Sequence, residues 1–117
     1  MINPEPLDKL RKFFGAEGES FVREVVTRYL QGAEGMLNDL ERFLQQQDIV
    51  QFARVAHTLK GNSASVGAEE VSSLAAELEM MGRNGDLSGA PEKILLLRNA
   101  FLIAKNELEQ MLRGKTS

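Results

Sequence analysis

The spacing of apolar residues between positions 20 and 47 restricts the fold of this chain more than any other feature of its sequence. Apolar residues there follow one another at alternating steps of four and three, the pattern of one face of an α-helix: Val22, Val26, Tyr29, Ala33, Met36, Leu40 and Phe43. Gly32 and Gly35 weaken a helix, but the pattern passes through both without a change of phase. We therefore predict one long helix over about 20–47.

The rest of the chain shows the same kind of pattern, divided by residues that end helices. Proline occurs only at Pro4, Pro6 and Pro91, so the strongest helix breaker is absent from the middle of the chain. The run from Gly82 to Pro91 is rich in glycine and polar residues and is typical of a turn. We predict further helices over about 6–14, 48–66, 68–82 and 90–113, followed by a frayed tail over 114–117.

Asp48 and Gln51 indicate where the second long helix begins. Their spacing is that of a capping box, in which the first side chain accepts a backbone N–H of the helix. The side chain three residues later then reaches back to the backbone N–H of the first residue. Gly67 marks the other end, because glycine is favoured where a helix stops.

These segments predict an all-α protein. No part of the sequence shows the alternation of apolar and polar residues typical of a β-strand, and 117 residues suit one compact domain. Amphipathic helices with short connections form bundles, since each must bury its apolar face. We predict an antiparallel up-down four-helix bundle with a short additional N-terminal helix, formed by residues 1–117 as a single domain.

The composition excludes several classes of function. The chain has no cysteine and one histidine, so disulfides and thiolate sites are excluded and a zinc site is not expected. A formal charge of −3 without a basic cluster argues against nucleic acid and anionic membranes as partners. No apolar run is long enough to cross a bilayer, and the N-terminus does not have the layout of a signal peptide. We expect a cytoplasmic protein that binds no metal ion and no nucleic acid and does not insert into a membrane.

The single histidine, His57, lies on the polar side of the predicted helix over about 48–66. On a helical wheel it points about 145° away from the mean direction of the apolar residues, so the ring should face solvent. The neighbouring positions on that face are Ala53, Gly61 and Ala64. A solvated helix face normally carries long polar side chains at such positions. The small residues therefore leave the imidazole accessible to a partner.

An accessible imidazole of this kind can act as a nucleophile. It is largely neutral at cytoplasmic pH, and a nitrogen with a free lone pair can attack phosphorus. Lys60, three residues later, is close enough to offset the charge of a phosphoryl group on the ring. The sequence has no phosphate-binding loop and no carboxylate within four residues of His57, and no acidic residue can be assigned to orient the ring. We therefore expect His57 to carry a phosphoryl group without a cofactor, while a partner supplies the catalyst.

The segment A-H-T-L-K-G-N-S-A-S-V-G-A, residues Ala56–Ala68, resembles the signature of histidine-containing phosphotransfer (HPt) domains of two-component phosphorelays. The match includes the histidine, the lysine three residues later and the glycines four and ten residues later. Leu78 and Glu79 are also similar to the family pattern, and the order of the predicted helices resembles the family over nearly the whole chain.

The resemblance implies that His57 accepts a phosphoryl group from an aspartate of a response-regulator receiver domain and passes it to another receiver aspartate. It also implies that Lys60 supports the phosphoryl group, that Gly61 gives steric access and that Gly67 ends the helix. The receiver would bring Mg²⁺ and the carboxylates of the reaction. The implied partners are receiver domains and a sensor or hybrid histidine kinase.

We expect receiver domains to dock on the surface around His57. Ala53 and Ala64 would form the contact, with Arg54 and Lys60 nearer the rim. We expect the chain to be a monomer. The sequence is compatible with a free-standing carrier and with the cytoplasmic end of a membrane-bound hybrid kinase.

Three other interpretations have different donors or roles. The phosphoacceptor domain of a chemotaxis-type histidine kinase is similar in motif but receives its phosphoryl group directly from an ATP-bound kinase domain. The dimerisation domain of a histidine kinase places an acidic residue after the histidine and a proline soon afterwards. Here Thr58 follows His57, and the next proline is Pro91, which disfavours that domain. The small residues around the ring disfavour a bundle that serves only as a binding module.

Overall fold

Five α-helices and a short 3-10 turn account for the fold in a computed structural model, which describes residues 1–114. The helices are α1 (Glu5–Phe14), α2 (Gly18–Gln46), α3 (Ile49–Ser65), α4 (Glu69–Asn84) and α5 (Ala90–Gly114), and the 3-10 turn Gly15–Glu17 joins α1 to α2. Residues 1–114 contain no β-strand. The prediction of an all-α four-helix bundle with a short N-terminal helix is confirmed.

The helix ends lie within two residues of their predicted positions. The predicted frayed tail over 114–117 falls outside the described residues except for Gly114, which ends α5. No helix among the described residues has the length and apolar character that a membrane span requires.

The four long helices stand at the corners of the bundle in chain order. α3 packs between α2 and α4, and α5 packs against α4 and α2. Within residues 1–114, no Cα atoms of the diagonal pairs, α2 with α4 and α3 with α5, lie within 8 Å of each other. α1 packs against α2 and α3 and buries Leu7 completely. α3 and α4 are therefore neighbours over their whole common length, and α5 lies diagonally opposite α3.

The residues that α2 buries are spaced at the period of a straight α-helix, and they depart from the predicted alternation of four and three. The buried residues of this helix are Gly18, Val22, Val26, Tyr29, Ala33, Leu37 and Leu40. Met36 and Phe43, which the alternation placed on the same face, are only partly buried. The alternation averages 3.5 residues per turn and drifts from the 3.6 of a straight α-helix. Leu37 therefore takes the buried position that the sequence pattern assigned to Met36.

Only half of the predicted capping box forms at the start of α3. The Asp48 side chain accepts a hydrogen bond from the backbone N–H of Gln51, with Oδ1 and N 3.2 Å apart. The backbone N–H of Asp48 donates instead to the carbonyl of Phe43, at 2.9 Å. Because the end of α2 already satisfies that donor, the Gln51 side chain has no orphan N–H to reach, and the reciprocal bond was wrongly predicted.

α4 continues past Gly82, where the sequence pattern predicted a turn. Gly82 is buried inside the helix, and a Cβ added to it would lie 2.9 Å from the Cβ of Ala53. The glycine therefore serves a close approach of α4 to α3. The helix ends at Asn84, because Gly85 adopts a left-handed conformation with φ of 74°.

Gly67 lies just beyond the end of α3 in a conformation that glycine favours. Its φ is 81°, and its carbonyl accepts a hydrogen bond from the backbone N–H of Asn3 at 2.8 Å. A Cβ at this position would lie 2.0 Å from the carbonyl oxygen of Asn3. The turn and the passing N-terminal segment thus both require the absence of a side chain.

Gly67→Ala is expected to lower the free energy of unfolding by about 1–3 kcal/mol or more, since it combines a left-handed backbone with a steric overlap. Urea denaturation measures this change. Gly61→Ala is the matched control, because Gly61 lies within α3 with no neighbouring atom within 4 Å of the added methyl group. That change should raise the free energy of unfolding by about 1 kcal/mol. Similar effects of the two substitutions would contradict this account of Gly67.

Candidate functional site

The ring of His57 projects from α3 into solvent and makes one hydrogen bond. Its side chain is 60% exposed, in agreement with the helical wheel. Its Nδ1 atom lies 3.0 Å from Oε2 of Glu79, which α4 contributes. An ionised carboxylate can only accept a hydrogen bond, so Nδ1 carries the proton and donates it to Glu79. In the neutral ring, Nε2 is then the nitrogen with the free lone pair.

Glu79 is the acidic residue that the sequence alone could not assign to orient the ring. It is buried, with 6% of its surface exposed. Its Oε1 accepts a hydrogen bond from Lys60 Nζ at 2.8 Å, and its Oε2 accepts bonds from Arg83 Nη2 at 2.6 Å and Nε at 2.9 Å. The hydrogen bond from Lys60 does most to lower the pKa of Glu79 to about 2, although burial opposes it; Arg83 and His57 lower it further.

The packing of α4 on α3 brings this carboxylate to the histidine. Ala75, Glu79 and Gly82 follow one another at steps of four and three, so they share the buried side of α4. Gly82 allows the close contact with Ala53. The hydroxyl of Ser72 also ties the two helices together, since it donates to the carbonyl of Lys60 at 2.9 Å.

The sequence contains a signal that Glu79 needs a partner, but it does not identify that partner. Val71, Ala75 and Leu78 define an apolar stripe, and Glu79 lies on its edge, between Ala75 and Gly82. A carboxylate on a buried face requires a positive or hydrogen-bonding partner. Its position therefore predicts a partner on an adjacent helix, but the spacing along the chain cannot say which residue that partner is.

Lys60 is held more firmly than the sequence suggested. Its ammonium group makes an ion pair with Glu79, and its side chain is 37% exposed. Lys60 and His57 therefore meet at one carboxylate, with Lys60 on Oε1 and the imidazole on Oε2. Arg83, which the sequence did not single out, adds a second cation on the same carboxylate and is itself 62% exposed.

The three small residues predicted beside the ring occupy different environments. Gly61 is exposed, and a Cβ added there would have no atom within 4 Å. Close packing therefore does not explain this glycine. Ala64 is also exposed, whereas Ala53 is partly buried against Gly82. Gly61 and Ala64 thus leave open space on one side of His57, and Ala53 helps to join α3 to α4 on the other.

A shallow groove of about 620 Å³ extends from His57 along the start of α3 and the end of α4. Val50 is its most exposed large apolar side chain, at 68%. Arg54, which the sequence placed at the rim, and Arg83 contribute positive charge. The groove is lined by Ile49, Val50, Ala53, Arg54, His57, Gly82, Arg83 and Gly85. The sequence did not reveal it, because three of these eight residues come from the end of α4 and the turn that follows it.

No group of three or more His, Asp or Glu side chains within residues 1–114 is arranged to bind a metal ion. The contacts described above join one accessible imidazole, one buried carboxylate and two cations.

The fold and this site define a class of protein that sequence comparison also identifies. The family model of the Hpt domain matches residues 24–114, which is most of the chain. The chain belongs to the family of histidine-containing phosphotransfer domains, whose members are phosphocarriers.

Individual relatives support the same class. The chain is 32% identical over 96 residues to histidine-containing phosphotransfer protein 2 of Oryza sativa subsp. japonica, which covers 80% of this chain and 64% of the rice protein. It is 25% identical over 100 residues to multistep phosphorelay regulator 1 of Schizosaccharomyces pombe, which covers 82% of this chain and 34% of that protein. The chain thus spans less than two thirds of the length of either relative.

A crystal structure of histidine-containing phosphotransfer protein B from Pseudomonas aeruginosa PAO1 has the same fold. Its TM-score is 0.86 at 25% identity, and the match covers 97% of this chain and 95% of that one. The family model and this solved structure therefore agree that the chain is a histidine-containing phosphotransfer domain.

Glu79→Met is expected to release the ring from its single tautomer, because methionine fills a similar space but accepts no strong hydrogen bond. The ¹⁵N chemical shifts of the His57 ring above neutral pH measure the tautomer. They should indicate Nδ1–H in the wild type and a mixture in the variant. The matched control is Glu79→Gln, whose amide oxygen can still accept the proton and should keep the wild-type tautomer. An unchanged tautomer in Glu79→Met would contradict the assignment.

The same Glu79→Gln variant tests the charge of the carboxylate. Because the pKa of Glu79 is lowered from 4.5 to about 2, its ionised form stabilises the fold above pH 4.5, and this contribution is lost as the pH falls towards 2. The free energy of unfolding should therefore decline less between pH 4.5 and 2 in Glu79→Gln than in the wild type.

Proposed function

We propose that this chain carries a phosphoryl group between receiver aspartates, with Nε2 of His57 as the acceptor atom. The observation that carries the proposal is the hydrogen bond from Nδ1 to the buried carboxylate of Glu79, on a ring that is 60% exposed. It leaves the lone pair of Nε2 facing solvent. A receiver can approach that nitrogen, whereas α4 covers Nδ1.

The proposed transfer requires no general base from this chain, because Nε2 carries no proton that must be removed. The lone pair of Nε2 attacks phosphorus, the bond from phosphorus to the aspartyl oxygen breaks, and the receiver regains its carboxylate. The ring keeps its Nδ1 proton and becomes positively charged. Glu79 accepts that proton's hydrogen bond throughout, so its negative charge stabilises the cationic ring, as a buried aspartate does for an imidazolium in a catalytic triad. In the return transfer, the ring leaves phosphorus as a neutral imidazole.

Lys60 and Arg83 give the site a net positive charge, which attracts an incoming phosphoryl group. The two cations outweigh the one carboxylate that they share. Lys60 combines a charge-assisted hydrogen bond with a flexible stem and can turn part of its charge towards phosphoryl oxygens. We propose that Lys60 supports the phosphoryl group while its ammonium group remains hydrogen-bonded to Glu79.

The proposed docking surface is the groove beside His57 together with the open space over Gly61 and Ala64. An apolar centre with a polar rim is typical of a protein interface. Val50 and Ala53 supply apolar contact within the groove, and Arg54 lies at its edge.

The catalyst is proposed to lie in the partner. Phosphoryl transfer requires metal ions and positioned donors around the equatorial oxygens, and we propose that the receiver supplies Mg²⁺ and its carboxylates. This chain would then need no cofactor. A histidine kinase that phosphorylates the receiver completes the proposed set of partners, and the cytoplasm is the proposed location of the relay.

His57→Gln should abolish labelling, since the chain has no second histidine. The experiment incubates the chain with a radiolabelled, phosphorylated receiver and follows acid-labile, base-stable label. Circular dichroism should show a folded variant, because the ring is exposed and glutamine favours helix. Label that persists on the variant would contradict the proposal. In a parallel reaction, a kinase domain with ATP replaces the receiver; faster labelling there would favour the chemotaxis-type interpretation.

Gly61→Glu should slow transfer about tenfold or more, corresponding to about 1.4 kcal/mol in the barrier. The long acidic side chain would occupy the open space beside the ring and repel the phosphoryl group. Rapid-quench kinetics with a phosphorylated receiver measure the rate. Gly61→Ala is the control, because its methyl group meets no atom within 4 Å, and it should transfer at close to the wild-type rate. Equal rates for the two variants would refute a role for open space at Gly61.

A further inference from the structure

The outward face of α5 carries four large apolar side chains that no other part of the described chain covers. They are Leu95, Leu96, Leu102 and Ile103, and each is more than half exposed. Asn99 lies between the two pairs and is also exposed. At 3.6 residues per turn, these positions form one stripe on the side of the helix opposite the core. We call this set the α5 stripe.

Three cationic side chains of α5 turn away from the α5 stripe towards neighbouring helices. Lys93 pairs with Glu77 of α4 at 2.6 Å. Arg98 pairs with Glu41 of α2, and Lys105 lies 3.9 Å from Glu34 of the same helix. Long cations often cover apolar surface with their stems, but these three are held on the flanks. The four apolar side chains of the stripe are therefore left without a cation over them.

The order of residues in the α5 stripe is symmetric about Asn99. Counting outwards from Asn99, Leu96 corresponds to Leu102, and Leu95 corresponds to Ile103. A twofold axis through Asn99 would therefore place leucine against leucine and leucine against isoleucine in an antiparallel pair of helices. Asn99 would face its own copy and could form an amide–amide hydrogen bond.

The same register is chemically matched at both ends of the stripe. It places Glu92 opposite Asn106 of the second copy, and Asn106 opposite Glu92, and both residues are exposed. The amide of asparagine can donate to the carboxylate, so no like charges meet. Symmetry of this kind is what an isologous interface requires, because each surface must fit itself.

We propose that two copies of this chain associate through the α5 stripe as an antiparallel, twofold-symmetric dimer centred on Asn99. One helix face offers less than the ~800 Å² per partner of a stable interface, so the dimer forms weakly and reversibly. It replaces the monomer that the sequence led us to expect.

The dimer leaves both copies of the histidine site accessible. α5 lies diagonally opposite α3 in the bundle, and within residues 1–114 no Cα atom of one helix comes within 8 Å of the other. His57 therefore points away from the shared surface. The proposal does not depend on phosphotransfer at His57, and the two can fail separately.

Sedimentation velocity over a series of protein concentrations up to millimolar tests self-association. Leu96→Glu and Leu102→Glu should each raise the dissociation constant of the dimer about tenfold or more, because a buried, unpaired carboxylate is costly. Both positions are exposed, so the bundle should remain folded. Met80→Glu on α4 is the matched control, since Met80 is 60% exposed and lies outside the stripe. A chain that stays monomeric at millimolar concentration would overturn the proposal.

Cysteine cross-linking tests the register directly, because the natural chain has no cysteine. Asn99→Cys should form a disulfide with its own copy under mild oxidation at least tenfold faster than exposed Ser73→Cys on α4. Asn106→Cys alone should link slowly, but a mixture of Glu92→Cys and Asn106→Cys should link rapidly. Equal rates for all variants would overturn the twofold arrangement.

Phosphotransfer assays of Leu96→Glu distinguish a dimer from a docking site for a relay partner. If this variant lost phosphotransfer from a receiver, the stripe would bind a relay partner and the dimer would be rejected.

Discussion

The buried carboxylate of Glu79 is the interaction on which the site depends. A charge with so little exposure requires partners, and it finds them in the Nδ1–H group of His57 and in the two cations Lys60 and Arg83. These contacts hold the ring in one orientation and one tautomer. They also compensate the burial of the charge, and so the stability of this part of the bundle and the tautomer of the His57 ring have the same physical origin.

The packing of α3 and α4 makes that interaction available. Gly82 and Ala53 bring the two helix backbones close together, and Glu79 then reaches across from α4 to the exposed edge of α3. On the other side of the ring, Gly61 is surrounded by open space. Glycine therefore occupies opposite environments at these two positions: Gly82 allows two helices to touch, and Gly61 leaves open space beside the His57 ring.

Much of the fold could be predicted from local sequence. Helical periodicity and the scarcity of proline indicated each helix, and the exposure of His57 followed from its direction on α3. Met36 was misplaced because the four-three alternation drifts from the helical period, but two other errors arose where a second segment intervened. The end of α2 satisfied the backbone N–H of Asp48, which removed half of the capping box. Gly82 belongs to a glycine-rich run that is typical of a turn. It lies within α4 instead, where it packs against Ala53 of α3.

The sequence by itself determined that the chain forms an all-α bundle with an exposed histidine among small residues, because helical periodicity relates residues three and four positions apart. Only the tertiary structure decided that Glu79 holds the ring, that Lys60 shares this carboxylate, and that Nε2 is the open nitrogen. His57 and Glu79 are 22 positions apart on different helices. No local period connects them, and the packing of α4 on α3 alone brings them within hydrogen-bond distance.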